Sequence, residues 1–273
     1  MFNYNEYLRN EKLPHIWCPG CGDGTVLKAI IRAIHNLQIR KDDLVMVSGI
    51  GCSSRTPGYV DFNTLHTTHG RALAFATGVK HAKPGLKVLV VSGDGDATAI
   101  GGNHFIHAAR RNIDITMILY NNYIYGMTGG QASPTTPTGS FASTAPYGNI
   151  DPNFDICALA QAAGASFVAR GTAYHAPQLD RLIEKAILNR GFSLVEVMLQ
   201  CPIAYGRRNR FKTANDMLKW QKEHAVSVDA AAKMTAEELE GKFLTGVLFQ
   251  KERPEFTAQY EHMIERLNPH SEE

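Results

Sequence analysis

The chain has 273 residues, of which 44% are hydrophobic and 20% charged, and a formal net charge of +2. This is the composition of a soluble globular protein, long enough for one large α/β domain or two small ones. The small net charge excludes a general attraction to nucleic acid or to an anionic membrane surface.

In chain order, MFNYNEYLRNEK is polar and lacks the apolar core of a secretory signal. No 18-residue apolar run follows, which excludes an ordinary membrane-spanning helix, so a cytoplasmic location is expected. HIWCPGCGDGTV (15–26) carries Cys18 and Cys21 in a C-x-x-C. A metal, a disulfide and a redox-active dithiol all use that spacing. A reducing compartment and an odd total of five cysteines favour a metal over a disulfide. Apolar residues at helical spacing predict a helix over 25–39. LVMVS (44–48) reads as a buried strand, 71–82 as a small-residue helix, and KVLVVSG (87–93) as a second strand. A helix over 104–112, a strand over 115–120, a helix over 154–164, a strand over 166–170, a helix over 177–189 and a strand over 192–199 continue the alternation. The fold class is therefore α/β, a parallel sheet with helices on both faces. Residues 1–205 are expected to form that domain. Residues 206–273 are more polar and read as a mostly helical C-terminal extension, with PEFTAQYEHMIERLN (254–268) as its clearest helix. Segment 129–153 has no period and is rich in Gly, Pro, Ser and Thr. So long a loop inside a compact domain is a candidate lid or partner-binding surface.

A parallel sheet places all its strand C-termini along one edge, where ligands of open α/β sheets bind. GIGCSSR follows the first strand, GDGDATAIGGNH the second, NNYIYGMTGGQ the third and QCPIAYG the last. Two further cysteines, Cys52 and Cys201, thus fall on this edge together with Asp94, Asp96, Asn121 and Asn122. GIGCSS lacks the third glycine of a dinucleotide-binding turn, and no acidic residue follows at the required distance. A carboxylate at Asp94 and an amide oxygen at Asn122, converging from neighbouring strand ends, suit Mg²⁺ shared with a substrate phosphate. Four thiolates suit either an iron–sulfur cluster or tetrahedral Zn²⁺. Zinc ligands usually come as two close pairs, whereas here one pair is followed by two single cysteines.

GDG, about 27 residues and then NN resembles the thiamine-diphosphate fingerprint. More narrowly, CPGCG, GIGCS, HTTHGRA, GDGD…GGNHFIHAARRN, YGMTGGQ and QCP are similar in kind and order to the β subunit of 2-oxoacid:ferredoxin oxidoreductases, over about residues 12–210. The resemblance implies a thiamine-diphosphate-binding fold. It also implies a [4Fe–4S] cluster on Cys18, Cys21, Cys52 and Cys201, and Mg²⁺ held by Asp94, Asn122 and the carbonyl of Ile124. Ile50, Gly51, Cys52 and Ser53 match the family's first cofactor loop, and His66 a histidine at the cofactor. Gly93, Gly95 and Asp96 match the diphosphate loop, and Gly126 and Met127 the reactive thiazolium end. Cys157, on an apolar helix, is expected to be a buried structural thiol.

The implied activity is oxidative decarboxylation of a 2-oxoacid with coenzyme A as co-substrate. Carbon chemistry belongs to thiamine diphosphate and the electrons pass through the cluster to ferredoxin. Arg55 is the candidate partner of the substrate carboxylate, since a guanidinium can hold a carboxylate through two hydrogen bonds. It favours 2-oxoglutarate over pyruvate and other 2-oxoacids. The glutamate that activates the cofactor lies on a separate α subunit in this family, and the sequence has no second copy of the α/β pattern. An obligate αβ heterodimer, paired as (αβ)₂, is expected. The rival readings are a non-redox thiamine-dependent decarboxylase subunit, which needs no cysteines, and a zinc-stabilised binding module without catalysis.

Overall fold

The computed structural model describes residues 2–267. Helix α1 (Asp23–Asn36) buries Val26, Leu27, Ile30, Ile31 and Ile34 along one stripe. It stops short of the predicted Ile39 because Gln38 turns left-handed, at φ 53°. Strand β1 (Leu44–Ser48) follows, then the single helical turn α2 (Thr56–Tyr59) and strand β2 (Asn63–His66). The sequence reading missed β2, and its burial explains why: none of its four residues is fully buried, so it carries no apolar signal. Helix α3 (Ala72–Ala82), strand β3 (Lys87–Gly93), helix α4 (Gly102–Arg110) and strand β4 (Thr116–Asn121) come next, within two residues of their predicted bounds.

The 129–153 segment is not featureless. Near its start, β6 (Gln131–Ala132) pairs antiparallel with β5 (Ile124–Tyr125) in a short ribbon. Helix α5 (Ile156–Ala163) starts where the Asp155 carboxylate accepts a hydrogen bond from Ala158 N and stops at Gly164, at φ 110°. Strand β7 (Phe167–Thr172), helix α6 (Ala176–Leu188) and strand β8 (Ser193–Met198) complete the alternating part.

The extension carries helices α7 (Ala214–His224), α8 (Val228–Ala231), α9 (Ala236–Leu239) and α10 (Phe256–Leu267). It also supplies two strands that the sequence reading did not place, β9 (Ala225–Ser227) and β10 (Phe243–Gln250). β10 runs antiparallel to β7 and lengthens the main sheet, with β9 beside it. Met1 and residues 268–273, including the predicted helix end at Asn268, lie outside the described residues.

The eight-stranded sheet has the order β2-β1-β3-β4-β8-β7-β10-β9, and its first six strands are parallel. Every residue of β1, β4 and β8 is buried, as a sheet covered on both faces requires. Leu44 and Met46 face one apolar layer with α1 and α6; Val45 and Val47 face the other with α3, α4 and α5. The chain leaves β1 for β2 on one side and returns to β3 on the other. The strand order therefore reverses between β1 and β3, which opens a crevice at their C-terminal ends.

Candidate cofactor and metal site

The crevice is floored by the loops after β1, β3 and β4. Gly49 follows β1, and a Cβ there would sit 2.2 Å from the Asp96 carboxylate, so only glycine lets the two loops close. Asp96 is buried. Its Oδ1 accepts from Ile50 N at 3.2 Å and Gly70 N at 2.7 Å, and its Oδ2 accepts from Ser92 Oγ at 2.5 Å. Nδ1 of His69 lies 2.8 Å from Asp96 Oδ1, but the pair lacks hydrogen-bond alignment. One carboxylate thus staples three segments around the opening.

Asp94 sits directly after β3 and is 2% exposed. Burial pushes its carboxyl up to about 6, opposed by the Ser133 and Thr135 hydroxyls that donate to Oδ2 at 2.5 and 2.6 Å. Asn122 follows β4; its Oδ1 accepts from Ile124 N at 3.2 Å. Tyr123 between them takes φ 67°, a left-handed turn that brings Asn122 and Ile124 onto the same cavity. The cavity wall includes Ile50, Gly51, Cys52 and Ser53 from the first loop and Gly93, Asp94, Gly95 and Asp96 from the second. Asn122, Ile124, Gly126 and Met127 supply the third side. All twelve were picked out by sequence. The reading missed His69, Tyr120, Tyr125 and Thr128, which also line it. HTTHG offered two histidines, and nothing in the string says which of them turns inward. Of the two, His66 closes β2 with an exposed side chain, its Nδ1 3.1 Å from Ser48 Oγ, outside the cavity wall.

Cys18 and Cys21 lie on a turn closed by Cys21 N donating to Cys18 O at 3.0 Å. Two contacts fix that turn to the Cys201 segment: Gly22 N donates to Gln200 O and Gln200 Nε2 to Gly20 O. Trp17 Nε1 donates to Cys52 O at 2.8 Å and fixes it to the Cys52 loop. A Cβ on Gly126 would lie 3.4 Å from Cys52 Sγ and 3.6 Å from Cys201 Sγ. Cys18 and Cys201 both act electrostatically on Cys52, Cys18 acts on Cys201, and Cys201 acts on Cys21, so the four sulfurs form one group. Burial pushes the Cys52 thiol up to about 12 and raises Cys21 and Cys201 as well. Thiolates are costly there unless a cation repays the desolvation. Cys157 stands apart, buried, with Sγ 3.2 Å from Glu196 Oε2. Arg55 is exposed, off the cavity wall, and close enough to Cys52 to favour its thiolate. Among the described residues, no helix is long and apolar enough to cross a membrane.

The family described as "Thiamine pyrophosphate enzyme, C-terminal TPP binding domain" matches residues 49–197. The chain is 53% identical over 262 residues to the 2-oxoglutarate synthase subunit KorB of Methanocaldococcus jannaschii, covering 96% of this chain and 97% of that one. It is 42% identical over 253 residues to the 2-oxoacid:ferredoxin oxidoreductase 2 subunit beta of Aeropyrum pernix, covering 92% and 77%. Among solved structures it superposes on the 2-oxoglutarate:ferredoxin oxidoreductase of Magnetococcus marinus, which has 2-oxoglutarate, coenzyme A and succinyl-CoA bound. That match has TM-score 0.88 and 34% identity, over 100% of this chain and 93% of the other. A parallel sheet opened between β1 and β3, a carboxylate and an amide at neighbouring strand ends, and four grouped thiols agree with these likenesses, and the chain belongs to the family of 2-oxoacid:ferredoxin oxidoreductase β subunits, thiamine-pyrophosphate enzymes of the KorB type.

Proposed function

We propose that the chain is the cofactor-bearing subunit of an enzyme that oxidatively decarboxylates 2-oxoglutarate with coenzyme A, giving succinyl-CoA and CO₂ and passing the electrons to ferredoxin. One observation carries the reading: Gly126 lines the cavity that holds Asp94 and Asn122, while its Cα carries no atom between that cavity and the sulfurs of Cys52 and Cys201. A two-electron oxidation coupled to a one-electron carrier needs that adjacency.

The residues fit the implied groups. Ser53 lines the cavity with a buried Oγ that has no partner among the described residues, so it can donate to a diphosphate oxygen. Asp94, Asn122 and the Ile124 carbonyl offer the oxygen donors Mg²⁺ prefers. The four thiols offer the donor set of a [4Fe–4S] cluster. Among the described residues no three of these sulfurs lie within 4.8 Å of one another, wider than the edges of about 3.8 Å that a tetrahedral ZnS₄ site requires. That spacing disfavours the zinc-module reading, and the grouped thiols themselves disfavour the non-redox decarboxylase.

When bound, thiamine diphosphate supplies carbanion chemistry at the 2-oxo carbon and the cluster takes up the electrons. The chain's own residues bind and orient. Asp96 keeps the two glycine loops closed, and Asp94 and Asn122 fix the diphosphate end. Met127 and Ile50 give the opposite wall an apolar lining, and exposed Arg55 beside the Cys52 loop meets the distal carboxylate of the substrate. The acids lining the cavity, among the described residues, are Asp94 and Asp96, both already committed. The glutamate that activates the cofactor comes from the α subunit, in an αβ pair assembled as (αβ)₂ and located in the cytoplasm. His66, which the resemblance matches to a histidine at the cofactor, is exposed at the end of β2 and outside the cavity wall.

Anaerobic co-expression with the α subunit tests the proposal. The expected product contains iron and acid-labile sulfide in equal amounts, and it reduces ferredoxin only with 2-oxoglutarate and coenzyme A both present. Stoichiometric zinc, or decarboxylation with no electrons delivered, overturns it.

A further inference from the structure

Segment 129–153 looks like a surface loop by composition, yet Ser133, Thr135 and Thr136 are 7%, 1% and 0% exposed. Burying three hydroxyls on an irregular segment is costly unless each finds a partner. Ser133 Oγ and Thr135 Oγ1 both donate to the same oxygen, Oδ2 of Asp94, at 2.5 and 2.6 Å. These are the lengths of hydrogen bonds to an ionised carboxylate. Among the described residues no side chain donates to Oδ1.

The turn that carries the two donors is itself pinned. Ser133 N donates to Thr136 Oγ1 at 2.8 Å, Thr136 N to Ser133 O at 3.0 Å, and Thr136 Oγ1 to Tyr123 O at 2.5 Å. Behind it, Thr135 Oγ1 lies 2.9 Å from Asn121 Oδ1 and Asn121 Nδ2 donates to Glu196 Oε1 at 2.7 Å. Arg170 Nε then donates to Glu196 Oε2 at 2.6 Å. Thr135 has one proton for two acceptors. An anionic Asp94 takes it, because a charged acceptor outcompetes an amide oxygen.

We infer that Ser133 and Thr135 are positioning residues for the metal: they occupy one oxygen of Asp94 and so turn the other toward the cation in the cavity. The inference rests on the reading of Asp94 as a Mg²⁺ ligand. It assigns the long loop a strut's role behind the site instead of a lid's role over it. Groups that orient a metal ligand in this way are worth about 10- to 100-fold in metal affinity.

The test uses the anaerobic αβ complex and measures retained thiamine diphosphate by equilibrium dialysis against a Mg²⁺ series. Thr135→Val keeps the shape and removes the hydroxyl. Its Mg²⁺ midpoint is expected to rise about 10- to 100-fold, while Thr135→Ser stays within about threefold of the parent. Ser133→Ala is expected to shift in the same direction, and it keeps the question open to decision if Thr135→Val does not assemble. The melting temperature without Mg²⁺ is read alongside. A drop there with an unmoved Mg²⁺ midpoint in both variants makes the hydroxyls merely structural and overturns the inference. Cofactor retention by the parent that ignores Mg²⁺ removal would instead overturn the reading of Asp94 as a metal ligand.

Discussion

Single side chains in this protein are asked to do opposed things. Asp94 and Asp96 stand two positions apart, both buried, yet Asp96 accepts two backbone N–H groups and a serine hydroxyl while Asp94 takes hydroxyls on one oxygen only. The first is a fastener and the second the proposed metal ligand. Burial pushes Asp94 and Asp23 each up to about 6, from an ordinary value of 3.8. In metal-free protein the folded state then keeps protons that the unfolded chain has released. Between about pH 4 and 6 the unfolded state binds fewer protons, so stability falls as pH rises through that window. Thermal melts of the metal-free chain across pH 4–7 are expected to show that sign, and a rise in melting temperature would contradict it. Arg55 is the proposed specificity residue and the one to change. Arg55→Ala is expected to lower kcat/KM for 2-oxoglutarate by about 10- to 100-fold, the worth of a charge-assisted pair, and to leave pyruvate untouched. Equal losses on both substrates would remove it from carboxylate recognition.

At the level of elements, the sequence disclosed whatever had a period. β1, β3, β4, β7, β8 and the helices between them were legible because full burial on both faces writes continuous apolar runs, and helix stripes write a 3.6-residue repeat. Cys52, Asp94, Asp96 and Asn122 were legible because parallel strands end on one edge; the other cavity residues were named through the family resemblance that the motifs carry. β2 was not legible, being an edge strand half in solvent. FLTGVLFQ was apolar enough to be a strand but was read as part of a polar, helical tail. It is β10, and it covers the edge that β7 would otherwise leave unpaired. The struts of loop 129–153 were invisible for another reason: Ser and Thr serve as turn residues and as buried donors alike, and only the folded chain shows which. Gly246 within β10 has φ 113°, and a Cβ there would meet Val228 Cγ2 at 3.3 Å. Gly246→Val is therefore expected to cost about 1–3 kcal/mol, read from the midpoint of urea unfolding. An unchanged midpoint would mean that β10 adds nothing to the sheet's stability.

On the proposed function, the whole molecule is half of a working site. Its cavity opens at the β1–β3 crevice with Asp94, Asn122 and Ile124 on its wall, but among the described residues that wall offers no uncommitted acid. Purified by itself, the chain is expected to turn over no 2-oxoacid even when reconstituted with cofactor, and to gain activity on adding the α subunit. Turnover by the isolated chain, measured anaerobically with a viologen acceptor, would contradict the division of labour. On the proposed function, the division also places the two redox compartments on one polypeptide. At Gly126 they are parted by bare main chain. With both groups of the proposed function bound, a wall one residue thick would offer almost no insulation, so reducing equivalents would tunnel across it without any moving part, and a methyl group at that position would be a spacer the circuit has no use for.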